Sequence, residues 1–190
     1  RGVGLVTLWA LQEQDKKPGE STIAVQGRGN VGRLAIEFLH EQGAKIVAVS
    51  DRHGGIYNEQ GLPVEKLFSQ QPEGQSRPPL SELDIDADKI STEQLLKLIV
   101  EAANLPITCR ADAKLHQRGV RIVPDILANG GGVTVSYLEW VQNRQRYRWS
   151  QEQVNEELEA RLKSAYENVK QHADDEQVSL RCAAYRIAAQ

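Results

Sequence analysis

Apolar residues come in short runs parted by turn residues, and their spacing switches between the strand period of two and the helix period of 3.6. Arg1 to Gln14, apolar at Val3, Val6, Leu8, Trp9, Ala10 and Leu11, predicts a helix largely covered by other structure. Lys16-Lys17-Pro18-Gly19-Glu20 ends it. Thr22 to Val25 is short and β-branched, which predicts a buried strand. Val31, Leu34, Ala35, Phe38 and Leu39 then fall on one face of a helix, and Gly43 stands where a cap glycine stands. Lys45 to Val49 predicts a second strand running into Ser50-Asp51. Gly54 to Asn58 predicts a short β excursion turned back by Asn58-Glu59-Gln60-Gly61, and Leu62 to Gln71 a short helix. Gln71 to Pro79, with three prolines and a glycine, predicts a surface loop.

Leu83-Asp84-Ile85-Asp86 alternates but is too short and acidic for a buried central strand. Ser91-Thr92-Glu93-Gln94 resembles a capping box ahead of Leu95, Leu96 and Leu98. Leu98-Ile99-Val100 predicts a third strand, ending at Glu101-Ala102-Ala103-Asn104. Thr108 caps a helix from Cys109 to Arg118 that Gly119 closes, and Val120 to Val123 predicts a fourth strand, stopped by Pro124-Asp125. Asn129-Gly130-Gly131-Gly132-Val133 reads as a second glycine-rich strand-to-helix junction, feeding a helix over Val133 to Gln145. Its glycines imply a close backbone approach in preference to a sharp turn. Ser150 caps a long helix with face Val154, Leu158, Leu162, Ala165 and Val169; a last helix, Leu180 to Ala189, has Leu180, Ala183, Ala184, Ile187 and Ala188 on one side, a packing face.

Strands alternating with helices over about 125 residues predict an α/β fold, a Rossmann-like doubly wound, mostly parallel sheet covered on both faces. The C-terminal helices, at about residues 150–190, fall outside that alternation and are expected across one edge of the sheet or reaching toward a missing neighbour.

Composition narrows the classes. The chain is 40% apolar and 26% charged with a formal charge of −3 and no block of Lys or Arg, so nothing marks a nucleic-acid or membrane surface. It has no long apolar run and no export-signal pattern. Cys109 and Cys182 lack ligand partners at metal-binding spacing and read as free thiols of a cytoplasmic protein, with no metal expected. There is no Met, even at position 1, which implies a piece of a longer polypeptide.

The chemistry lies at the first strand-to-helix junction, Gly27-Arg28-Gly29-Asn30-Val31-Gly32. Gly27 suits a tight turn, Gly29 lets a pyrophosphate approach the backbone, and Gly32 lets the helix pack close to the strand, while the helix N-terminus offers its amides to phosphate. Asp51 lies twenty-four residues past Gly27, close to the spacing of an acidic residue that binds a dinucleotide's ribose hydroxyls. The competing reading is three glycines in an unrelated turn, with Asp51 capping the loop to Gly55.

Together, Ala24 to Gly32, Val47 to Asp51 and above all Val123-Pro124-Asp125-Ile126-Leu127-Ala128-Asn129-Gly130-Gly131-Gly132-Val133-Thr134-Val135-Ser136-Tyr137-Leu138-Glu139-Trp140-Val141-Gln142-Asn143 resemble the cofactor-binding domain of the Glu/Leu/Phe/Val dehydrogenase family. The Ser136 to Asn143 tail resembles its glutamate dehydrogenase branch. The resemblance runs from Arg1 to Tyr185 and implies one dinucleotide-binding domain over residues 1–190. In the family an N-terminal domain, absent here, carries the catalytic lysine and aspartate, so no catalytic residue is assigned.

Carried over residue by residue, the resemblance puts Gly27, Arg28, Gly29, Asn30, Val31 and Gly32 at the pyrophosphate and Asp51 at the adenosine ribose. Ala103, Asn104 and Asn129 would lie near the nicotinamide and its ribose; Val133 and Ser136 would face the substrate, Ser136 toward the distal carboxylate. Ser136 also admits the plain reading of a helix serine bonded to its own backbone. The implied partners are NAD, with NADP possible because Arg52 and His53 can offset Asp51, and L-glutamate or 2-oxoglutarate. The full-length protein is implied to be a homo-oligomer, a hexamer as relatives often are. The alternative is a stand-alone nucleotide-binding or regulatory module without dehydrogenase activity.

Arg28 stands where the family most often has Phe, Gly130 where it has Ala and Leu138 where it has Phe. The family also has a strand ending in Pro-Ala-Ala-Leu and a Glu-Asn loop between segments that are fused here at Asp86-Ala87. Either that stretch was lost in nature, leaving the sheet without a central strand, or it is missing from this sequence.

Overall fold

A computed structural model describes residues 1–51, 53–69, 78–90 and 98–189. The capping box at Ser91 to Gln94, Leu95 and Leu96, Arg52, and most of the expected proline loop lie outside the described residues. The chain forms two compact units, Leu11–Leu95 and Arg1–Ala10 with Leu96–Gln190.

In the unit Leu11–Leu95, β1 (Thr22–Gln26), β2 (Lys45–Asp51), β3 (Gly54–Tyr57) and β4 (Asp88–Ile90) form a sheet in the order β1-β2-β3-β4. β1 and β2 are parallel, with Gln26 beside Ser50, and α2 (Asn30–Glu41) is the crossover between them. The chain then reverses: β2 with β3 and β3 with β4 are antiparallel. Only two positions separate β2 from β3 in the sequence, too few for the crossover that a parallel return needs. β4 completes the sheet just after Leu83-Asp84-Ile85-Asp86, which forms no strand, as expected. The chain also carries α3 (Val64–Ser69).

β2 has neighbours on both sides and is buried from Ile46 to Ser50, reading as a nearly continuous apolar run. β1 differs from expectation: it has a strand partner on one side only among the described residues, and Thr22, Ala24 and Gln26 are exposed. The face of α2 also differs. Its buried residues are Ala35, Ile36 and Leu39, while Val31 and Leu34 are 51% and 57% exposed. The cause is Gly32, which packs onto Gly27 and Val25 and turns the i, i+3, i+4, i+7 set 32, 35, 36 and 39 inward. Gly43 closes the helix at φ 87° as expected.

In the other unit β5 (Leu98–Val100) and β6 (Arg121–Val123) form a parallel pair joined through α4 (Cys109–Gln117). The Thr108 hydroxyl accepts from the Ala111 N–H and Gly119 ends α4 at φ 72°. Of the four strand pairings described, two are parallel and two antiparallel.

The chain after β6 departs from the expected strand-to-helix junction, because a short helix α5 (Asp125–Ala128) intervenes before α6 (Gly131–Gln145). Pro124 has φ −71°, suited to starting a helix, and Asp125 supplies acid in the first turn. At Gly131 a Cβ would lie 3.5 Å from Cα of Gly2 in α1 (Gly2–Gln12), an ordinary contact that shows the two backbones close together without itself requiring glycine. The close approach is thus helix to helix.

α7 (Gln151–Glu176) starts at a capping box, Ser150 with Gln153, and α8 (Leu180–Ala188) at the Ser179 hydroxyl. They are not appendages. Tyr166, Val169 and Ala173 of α7 and Leu180, Ala183 and Ala184 of α8 form one core with Val6 and Ala10 of α1 and Val123 of β6, against which Leu98 and Val100 of β5 pack. Trp9 lies 5.9 Å from Tyr166, centroid to centroid. Along α7 the expected Ala165 is exposed and Tyr166 buried, and Ala188 of α8 is exposed. The architecture is α/β and Rossmann-like, its parallel pairs carrying glycine-rich or Asn-bearing loops at their carboxyl ends.

Candidate functional site

Two residue groups gather at carboxyl ends of parallel strands, one in each unit. The first is the loop after β1 together with Asp51 at the end of β2. Gly27 has φ 89°, a region that an L side chain enters only with strain, and its N–H donates to the Ser50 carbonyl at 2.7 Å. Gly32 is required by contact: a Cβ there would sit 1.9 Å from the Gly27 carbonyl oxygen.

Gly29 has neither reason. Its φ is −64° and nothing lies within 4 Å of where its Cβ would be, so the fold itself leaves room above this backbone. Gly29 is also the N-cap of α2, with no side-chain cap. The first helical bond runs from the Arg33 N–H to the Gly29 carbonyl at 2.8 Å, so Asn30, Val31 and Gly32 have no helical acceptor for their amides. Donors, an open floor and a helix positive end therefore coincide, an arrangement suited to a diphosphate.

Arg28 has a different place from that expected of a cation beside the phosphates. It is 6% exposed; its Nε donates to Oδ2 of Asp51 at 3.1 Å and its Nη2 to the Pro78 carbonyl. Oδ1 of Asp51 accepts from the His53 N–H at 2.8 Å. Burial alone would raise the Asp51 pKa, but the His53 and Arg28 hydrogen bonds outweigh it and hold the carboxyl below the ordinary aspartate value.

The second group lies after β5 and β6. Nδ2 of Asn129 donates to Oδ1 of Asn104 at 2.7 Å, joining two side chains that the resemblance had put in one neighbourhood. Ala103 beside them is exposed. Val133 and Ser136, one turn apart on α6, are exposed, and no described contact ties them to the Asn pair.

Beneath the Asn pair is a buried ionic cluster that sequence reasoning missed. Nη2 of Arg181 donates to Oε1 of Glu101 at 2.6 Å and its Nε to Oδ1 of Asp112 at 3.0 Å; its Nη1 lies 3.7 Å from Oδ1 of Asp125. The Glu101 side chain is wholly buried. Its Oε2 accepts from the Asp125 N–H at 3.0 Å, while Oδ2 of Asp125 accepts from the N–H of Leu105, which has φ 46°. One guanidinium thus anchors the loop that carries Asn104 and the turn that leads to Asn129. Burial alone would lower the Arg181 pKa, but the Glu101 and Asp112 carboxylates raise it above the ordinary arginine value. The one sequence signal was an acid, Glu101, directly following an apolar strand; nothing pointed to a partner eighty residues away.

The sequence model of the Glutamate/Leucine/Phenylalanine/Valine dehydrogenase family matches residues 1–96 and 81–190. The chain is 40% identical over 218 positions to the NADP-specific glutamate dehydrogenase A1 of Halobacterium salinarum, covering 98% of this chain and 52% of that protein. It is 37% identical over 211 positions to the catabolic NAD-specific glutamate dehydrogenase RocG of Bacillus subtilis, covering 97% and 49%. The crystal structure of glutamate dehydrogenase from Peptoniphilus asaccharolyticus superposes with a TM-score of 0.81 at 32% identity, over 97% of this chain and 48% of that one. The chain spans about half the length of these relatives. An alignment of 218 positions against 190 residues leaves at least 28 without a counterpart here, and the two family matches overlap at 81–96, where the fused segments lie. Together these likenesses are decisive: the chain belongs to the Glutamate/Leucine/Phenylalanine/Valine dehydrogenase family.

Proposed function

We propose that this chain is the dinucleotide-binding domain of a cytoplasmic, homo-oligomeric glutamate dehydrogenase. The complete protein oxidatively deaminates L-glutamate to 2-oxoglutarate and ammonia, and a hexameric assembly follows from the family resemblance. When bound, the nicotinamide supplies the hydride chemistry. The chain's own residues bind and orient. Amides of Gly29 to Gly32 hold the diphosphate, Asp51 accepts from the adenosine ribose, and Ala103, Asn104 and Asn129 line the nicotinamide end. Val133 and Ser136 present the exposed face of α6 to the substrate. In the family the catalytic lysine and aspartate belong to the other half, so the isolated chain binds cofactor and turns nothing over.

Gly29 carries this reading, because neither its backbone angle nor a neighbour in the fold demands glycine. Gly29→Ala is therefore expected to leave the unfolding free energy of the 190-residue chain, measured in urea, within about 1 kcal/mol of wild type. NADH affinity by calorimetric titration is expected to fall at least about tenfold, since the methyl group displaces the diphosphate from charge-assisted amide bonds. Unchanged affinity would contradict the reading.

A second reading, a nucleotide-binding module without dehydrogenation, is supported by the 28 or more aligned positions that this chain lacks. NAD(P)-linked glutamate oxidation by the complete protein would exclude it, and cofactor binding without turnover by that protein would favour it.

A further inference from the structure

We infer that Arg28 sets cofactor selectivity: by cancelling the charge of Asp51 it lets the ribose end of the site accept a 2′-phosphorylated dinucleotide as well as an unphosphorylated one. This rests on the dinucleotide reading and adds to it the residue that decides which dinucleotide fits.

A carboxylate at the end of β2 ordinarily favours ribose hydroxyls and repels a 2′-phosphate. Here that carboxylate, 14% exposed, is paired with a buried guanidinium. Arg28 is inside the glycine loop, 6% exposed, with its guanidinium held by Oδ2 of Asp51 and by the Pro78 carbonyl. A buried guanidinium needs a carboxylate partner, and among the described residues Asp51 is the one it meets. The second tether, on Pro78, fixes the cation at Asp51 and away from the open floor above Gly29.

Hydrogen-bonding capacity survives this pairing. A carboxylate has about four acceptor directions. Among the described residues two are taken, by Arg28 Nε and the His53 N–H, which leaves acceptors for ribose hydroxyls. What pairing removes is the net negative charge facing the 2′ position. The site keeps the grip on NAD and loses the repulsion of NADP.

The test is titration of NAD+ and NADP+ into the 190-residue chain and its Arg28→Gln and Asp51→Asn variants, with folding followed by circular dichroism. Wild type is expected to bind both with dissociation constants within about tenfold of each other, since a paired carboxylate discriminates little. Arg28→Gln is expected to weaken NADP+ relative to NAD+ by about tenfold, the size of one close charge interaction near a protein surface. Asp51→Asn should move the ratio toward NADP+ by a similar factor. A ratio unmoved in Arg28→Gln overturns the assignment, whether neither affinity changes or both fall together; the latter makes Arg28 a support of the whole loop. If Arg28→Gln does not fold, Asp51→Asn decides alone, and an unmoved ratio there also overturns it. Folded wild type that binds neither nucleotide refutes the dinucleotide reading itself, whereas binding of both with an unmoved ratio refutes only the role of Arg28.

Discussion

Replacing Arg181 by Met is expected to destabilise the chain by about 3–5 kcal/mol, the cost of removing one member of a buried ionic network. Met keeps the apolar stem of the side chain, to about the position of Nε, and removes the charged guanidinium. Glu101, wholly buried, and Asp112 and Asp125 would lose their shared guanidinium. Water has no access to the Glu101 carboxylate, whose side chain is wholly buried. Urea unfolding of the variant measures the loss. Adding Glu101→Gln should recover part of it, because the orphaned charge and not the missing methylenes causes most of the damage. A midpoint unchanged within error would mean that the cluster is not a support. The Asn104 to Asn129 contact depends on the loop and turn that Arg181 anchors, so the damage should extend to the end of the site proposed for the nicotinamide.

Gly32→Ala has the next largest expected effect. Its new methyl would lie 1.9 Å from the Gly27 carbonyl oxygen and 2.9 Å from the carbonyl carbon, both backbone atoms that no rotamer change can clear. α2 must lift from β1 or the loop must unwind, at about 2–4 kcal/mol. Both movements disperse the amides of the helix N-terminus, so NADH binding should be lost with the stability. Thermal unfolding and NADH titration follow the two losses. A variant as stable as wild type would contradict the close packing of helix and strand. Beside Gly29→Ala, where only binding is expected to suffer, the two substitutions separate a glycine required by the fold from one required by a ligand.

Local signals made most elements legible. Thr108, Ser150 and Ser179 cap helices through their own hydroxyls, and Gly43 and Gly119 end helices at positive φ, so those boundaries are written in single residues. What periodicity missed was set by contacts distant in sequence. Val31 and Leu34 have the spacing of a buried face, but Gly32 seats α2 the other way. Ala165 lost its place to Tyr166, whose ring meets Trp9 of α1. The C-terminal helices look peripheral in a pattern of alternation and prove central once Tyr166, Val169 and Ala183 are seen around Val123.

The candidate site divides the same way. The glycine loop and Asp51 were readable because their spacing is a local property of one strand-helix-strand unit. That Arg28 turns onto Asp51, that Asn104 meets Asn129, and that Arg181 supports their loops all depend on side chains 23, 25 and 80 residues apart, which no local pattern couples.

The central claim is that amides at the mouth of the β1-to-α2 crossover hold a dinucleotide's diphosphate. It is tested most directly by the amide resonances of the 15N-labelled chain during titration with NADH. Saturable shifts are expected, largest at Gly29, Asn30, Val31 and Gly32, with a second set at Asp51 and His53. Saturation with the largest shifts elsewhere, or a folded spectrum that NADH leaves unmoved, would contradict it.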